Sequence, residues 1–231
     1  MADERFLNIG DRNKVLIKIG GISALLYVGL SVVGNLMHTA MPPDPAGALE
    51  TIGSSSTWKL AHAILTSTYA FILPMLIGVK ATFREDKTVM PIAVPLITAG
   101  VAVGTAQIGT HATIFRILGE KYLAATDAVA KANLITIYEV LWPYNTVLEL
   151  AHLVVIYLLI VFIAMAMRRE DYPKWVAWVG VAGGVIAVAG IIIGEVVFSR
   201  SGGLMGDRIF GFSLLPLMVW LLAVGVILIK R

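Results

Sequence analysis

Six stretches of the chain are apolar and carry no charged residue: 19–41, 60–79, 88–115, 150–167, 175–194 and 209–229. Each is close to the roughly 20 residues a helix needs to cross the hydrocarbon core of a bilayer. None shows the alternating apolar and polar decapeptides of a transmembrane barrel strand, so the pattern predicts helices throughout. Allowing for polar ends, the spans fall at about 15–38, 58–80, 89–116, 143–167, 174–198 and 209–229. The fourth reaches back to Pro143 by admitting one acid, Glu149.

Two connections are long. The stretch 42–57 begins Pro-Pro-Asp-Pro and goes on to Gly47, Gly53 and three serines, which predicts a turn-rich crossing with little helix. The stretch 122–139 lacks Gly and Pro, is rich in alanine, and sets Asp127 and Lys131 four residues apart. It predicts one helix lying over the bundle, as a connector or as a lid.

Composition closes off the other classes. The 231 residues are 58% hydrophobic and 14% charged, and mean hydropathy is +0.85, which excludes a soluble globule and a disordered chain. There is no cysteine, hence no disulfide, thiolate metal site or thiol nucleophile. The chain reads as an all-α integral membrane protein, a single six-helix membrane domain over 1–231 with no internal repeat. Asp3, Glu4 and Asp11 among the first bases argue against a cleavable signal, so the first span is expected to stay.

Orientation follows from lysine and arginine in the connections. Arg5, Arg12, Lys14, Lys18, Lys80, Arg84, Lys87, Arg168, Arg169, Lys174, Lys230 and Arg231 share one side, twelve against six (Lys59, Arg116, Lys121, Lys131, Arg200 and Arg208). Both termini are therefore expected in the cytoplasm, in a multi-pass protein of the cytoplasmic membrane. The same asymmetry accounts for the net charge of +3, leaving no basic patch for nucleic acid. Trp58, Tyr122, Trp142 and Tyr144 are placed to anchor the outer interface, and Phe83, Tyr172, Trp175 and Trp178 the inner one.

The chemistry sits in four histidines, His38, His62, His111 and His152, each on a different span. Counted along the helices, His62 and His111 lie roughly 7 to 8 Å below the outer face and His152 roughly 13 Å, with His38 at the lip. Polar stripes accompany them: Lys59, His62, Thr66 and Tyr69; Gly100, Gly104, Gln107 and His111; Asn145, Glu149 and His152. Polar groups at such depth must face inward and find partners, which marks a functional site.

Three readings suit that site. The leading one is a b-type haem for electron transfer, ligated by His62 and His111. Gly104 and Gly100 would clear room for the macrocycle, Gln107 would line it, and Lys59 and Arg116 would sit where propionates emerge. In that reading His152 touches the second shell or a quinol beside Glu149, and other membrane subunits are possible partners. The second is a mononuclear zinc or copper site using His62, His111 and His152, with Glu149 or Glu195 as carboxylate. Glu149-Leu-Ala-His152 has the spacing of di-iron bundles, but occurs once where those bundles use it twice. The third is a cofactor-free subunit, sensor or small-molecule transporter, although the acids lie away from the midplane where ion translocation needs them.

The segment Tyr172-Pro-Lys-Trp-Val-Ala-Trp-Val-Gly-Val-Ala-Gly-Gly184, with Asp-Pro-Ala-Gly-Ala at Asp44 to Ala48, resembles a prokaryotic family of six-span membrane proteins of unknown function. The resemblance covers about a tenth of the chain, implies six spans of this length and implies no activity. The histidines lie outside it.

Overall fold

The computed structural model describes residues 9–84, 87–194 and 204–231. Those residues form α1 (Ile9–Met37), α2 (Pro45–Ser54), α3 (Trp58–Thr82) and α4 (Val89–Thr110), then a π-helical stretch (His111–Phe115) running straight into α5 (Arg116–Ala124). The long α6 (Ala128–Met167), α7 (Lys174–Ile192), α8 (Leu204–Ser213) and α9 (Leu215–Lys230) complete the order. Among the described residues six segments are long and apolar enough to cross a membrane: Asn13–Met37, Trp58–Thr82, Val89–Ala124, Ala128–Met167, Lys174–Ile192 and Ile209–Lys230. There is no strand among the described residues.

The six spans close a ring: α1 packs on α3, α3 on α4, α4 on α6, α6 on α7, α7 on α9 and α9 back on α1. The α1–α3 pair is antiparallel, Gly20 meeting Gly78 and Gly34 meeting Leu65. At the first crossing the two backbones touch, since a Cβ on Gly20 would lie 2.7 Å from the Cα of Gly78. Small residues on both sides permit that approach, the usual basis of helix association where lipid removes the hydrophobic drive. Outward faces carry exposed Val, Ile and Phe, among them Val15, Ile22, Ile92, Phe162, Val185 and Val219, as a lipid-facing surface requires.

One end of the ring gathers the C-terminus and two connections. Arg231 donates to the carbonyl of Asp171 and stacks 4.5 Å from the Tyr172 ring; Arg84 pairs with Asp171 at 3.6 Å; Thr82 and Tyr172 hydroxyls bond at 2.7 Å. Tyr172 is thus buried there instead of anchoring in the interface, and burial raises its hydroxyl's pKa above the ordinary value. The interior of this half is a continuous apolar core that includes Leu76, Ile160, Ile163, Trp220 and Val224.

The opposite end is a cap. At 1.5 Å per residue the 40-residue α6 is about 60 Å long and the 36-residue run Val89–Ala124 about 54 Å, against a hydrocarbon thickness of about 30 Å. Their excess projects at this end, where α2 packs on α5 around Leu49, Ile52, Phe115, Leu118, Tyr122 and Tyr138.

Two sequence expectations change here. The 42–57 connection contains a helix, because the Pro-Asp-Pro string starts one: Asp44 is the N-cap, its Oδ1 accepting from Gly47 N at 2.7 Å, and Pro45 takes the first turn, where its missing N–H costs nothing. The single helix expected at 122–139 is two pieces. α5 stops at Ala124, and Asp127 caps a new start, its Oδ2 accepting from Ala130 N at 2.9 Å. The stretch from 128 onward is then the first part of the fourth span's own helix.

Candidate functional site

Under the cap, three imidazoles converge. His38 follows the end of α1, His62 stands one turn into α3, and His111 opens the π-helical stretch. One ligand nitrogen from each lies within 4.8 Å of the others. His62 and His111 are almost wholly buried, at 1% and 7% exposure, and His38 is half-buried.

Local structure aims these rings. His62 Nδ1 is 2.8 Å from the Trp58 carbonyl one turn earlier, and since a carbonyl only accepts, that nitrogen carries the proton. Nε2 is left as a lone pair and accepts the hydrogen bond that His111 Nδ1 donates across 3.3 Å, the two rings perpendicular; an ion bound between them would take the place of that proton. A π turn interrupts the i, i+4 ladder of a helix and recurs at functional positions. Here the His111 carbonyl at its start accepts from the Trp58 indole Nε1 at 3.2 Å. One tryptophan thereby holds both histidines, one through its carbonyl and one through its ring.

Aromatic rings wall the cluster. Trp58 lies 4.2 Å from His62 and 5.4 Å from His38, centroid to centroid, and Phe115 and Trp142 lie 5.1 and 5.4 Å from His111. Trp58, expected as an interfacial anchor, is 1% exposed, and Tyr122 is buried in the cap core; Tyr144, Trp175 and Trp178 do stand exposed.

The three histidines line a cavity of about 1100 Å³ inside the ring, together with Tyr69, Gln107, Glu149 and His152. All four histidines therefore share one cavity, but the ligand set differs from the one expected. His152 stands apart from the cluster: its Nδ1 is held by the Leu148 carbonyl at 2.8 Å and its Nε2 by the Tyr69 hydroxyl at 2.7 Å. His38, expected at the lip, takes its place. A signal for this existed in the sequence, since Ser31 and Asn35 on α1 and His38 just past its end follow the i, i+4, i+7 spacing of one helical face, and all three line the cavity. Glu149 lines the cavity, and Glu195 lies outside the described residues.

The residues expected to serve a haem have other employment. Lys59 is exposed and pairs with Glu120 at 3.5 Å. Arg116 bonds Glu120 at 2.6 Å and donates to the Ile52 and Ser55 carbonyls at 2.6 and 2.7 Å, closing the C-terminal end of α2. The space beside Gly104 is filled by the Tyr69 ring, 2.7 Å from where a Cβ would stand, and that beside Gly100 by Ile156. Gln107 is buried and lines the cavity as expected.

Fold and site together define a multi-pass helical membrane protein with a buried tri-histidine cluster. No family model, curated protein or solved structure matches the chain.

Proposed function

We propose that the protein is a membrane-embedded metalloprotein whose His38, His62 and His111 bind one transition-metal ion, copper or zinc. The observation that carries this reading is the convergence of three imidazole nitrogens within 4.8 Å, with the His62 tautomer already set for ligation. Metal–imidazole bonds of about 2.0–2.1 Å in a tetrahedron put neighbouring nitrogens about 3.3–3.4 Å apart, and His62 Nε2 and His111 Nδ1 are separated by 3.3 Å. His38, half-buried at a helix end, is the ligand with room to close the set by a shift on the order of 1 Å. Three protein ligands leave a position toward the cavity, the arrangement of a reactive site and not of a purely structural one.

Charge favours copper of the two. Three neutral imidazoles leave the ion's charge uncompensated by its ligands, and the cost of burying charge rises with its square, so cuprous ion is accommodated more easily than a dication. Glu139 and Glu149 on the cavity wall supply carboxylates that can balance the charge of either. A redox role in the membrane follows from copper. The lysine and arginine count puts both termini in the cytoplasm and the centre in the outer leaflet.

A b haem between His62 and His111 is the second reading, favoured by their facing rings at matched depth. The visible spectrum and the metal content of the purified protein separate the two. One equivalent of copper or zinc without porphyrin bands supports the ion; sharp reduced haem bands support the second reading. A protein that holds neither after loading with copper, zinc or haem refutes both.

A further inference from the structure

The cavity has an apolar rim and a polar interior. Leu36 on α1, Val147 on α6 and Leu215 at the start of α9 line it, and they are 82%, 61% and 56% exposed. These belong to the lipid-facing surface of three different spans, so the way in passes over side chains that suit hydrocarbon. The volume, about 1100 Å³, is at the upper end for small-ligand sites, which run to roughly 1,000 Å³.

Inside, hydrogen-bond directions can be assigned. His152 Nδ1 faces a carbonyl oxygen, that of Leu148, and must donate; Nε2 is then an acceptor, and the Tyr69 hydroxyl at 2.7 Å must donate to it. The proton of Tyr69 is thereby spent, and its oxygen presents lone pairs to the cavity it lines. Gly104 makes this possible, because a Cβ there would stand 2.7 Å from the Tyr69 hydroxyl and ring. The carboxyl group of Glu149, when ionised, adds acceptors on the same wall. Gln107 elsewhere on the lining can donate or accept, but the wall of Tyr69 and Glu149 offers acceptors, and behind an apolar mouth it selects a molecule that donates from its head and carries an apolar tail.

We propose that the cavity binds a hydroxyl-headed, lipid-soluble amphiphile, an alcohol, phenol or hydroquinone. Its O–H donates to Tyr69 Oη, and its tail leaves between α1, α6 and α9. The inference goes beyond the metal reading and does not require it, since Tyr69 and His152 are not among the proposed ligands.

The test uses the full chain in detergent, metal-free and copper-loaded, titrated with decan-1-ol and with decyl methyl ether, which has a comparable tail and no donor. Binding is read from tryptophan fluorescence, since Trp142 lines the cavity. Saturable binding of the alcohol, about three- to tenfold tighter than the ether, is expected in both metal states, one hydrogen bond's worth. Tyr69→Phe should remove the preference and keep the tail's contribution. Leu36→Trp, at a residue exposed enough to change without harm to the core, should weaken both probes. Equal binding of alcohol and ether, no saturation by either, or a preference that survives Tyr69→Phe overturns the proposal. So does a preference confined to the copper-loaded protein, which would put the hydroxyl on the ion. Metal content is measured in the same samples, so failure here leaves the metal reading to stand or fall alone.

Discussion

Backbone contact between α2 and α5 sets how the cap sits over the histidines, and one methyl group tests it. A Cβ on Gly119 would stand 2.6 Å from Gly53 N and 2.7 Å from the Leu49 carbonyl, against 3.4–4 Å for ordinary contact. Both obstacles are main chain, so relief requires the helices to part by about 1 Å, loosening Leu49 and Ile52 from Phe115, Leu118 and Tyr122. Overpacking of this kind costs about 1–3 kcal/mol, and for a chain of this size 2 kcal/mol is roughly 4–8 °C of melting temperature. Gly29→Ala is the control: nothing lies within 4 Å of that Cβ, the position is mid-helix, and alanine there gains up to about 1 kcal/mol in helix propensity. The assay is thermal unfolding of wild type and both variants in one detergent, followed by fluorescence. Gly119→Ala should melt lower and also hold metal more weakly, because α5 continues the helix that carries His111. Equal melting temperatures for Gly119→Ala and Gly29→Ala would refute the close docking of the cap.

Four further outcomes are expected. Arg116→Ala should lower the melting temperature, as charge-assisted bonds of about 1.5–3 kcal/mol to the Ile52 and Ser55 carbonyls are lost, while Lys59→Ala, at an exposed ion pair, should cost under about 1 kcal/mol and leave cofactor content unchanged, which a propionate-binding lysine would not. Metal affinity, measured by competition with a chelator, should fall on acidification, because protons compete for imidazoles that must be neutral to ligate; an affinity that stays constant until the protein unfolds in acid would contradict histidine ligation. A reporter fused after Arg231 should be active only in the cytoplasm, and the reverse would place the cluster in the inner leaflet.

The six spans were legible because crossing a bilayer imposes length and apolarity, which are properties of one segment at a time. The cap was not, and the reason lies in two aspartates. Asp44 sits in a string that reads as helix-breaking but is an N-cap followed by a first-turn proline, and Asp127 reads as half of an i, i+4 ion pair with Lys131 but caps α6, while Lys131 lies over the Tyr122 ring at 5.0 Å. Convergence of the histidines could be read from depth along each helix. Depth says nothing of rotation about the helix axis or of partners on other helices. His152 is at a suitable level but is satisfied by Tyr69 from α3, and His38 lies past the last turn of α1 yet turns back over His62, 4.9 Å between ring centroids. The two trypytophans nearest the cluster, Trp58 and Trp142, carry the commonest signature of membrane anchoring, and only packing shows them as its walls.

The most direct test of the tri-histidine centre is metal content after copper or zinc loading in four single variants, His38→Ala, His62→Ala, His111→Ala and His152→Ala, each shown by its melting curve to be folded. Wild type and His152→Ala should hold one equivalent of the ion, and the other three should lose it or bind it at least tenfold more weakly. Loss in His152→Ala with retention in His38→Ala would contradict the account, as would full metal content in all four.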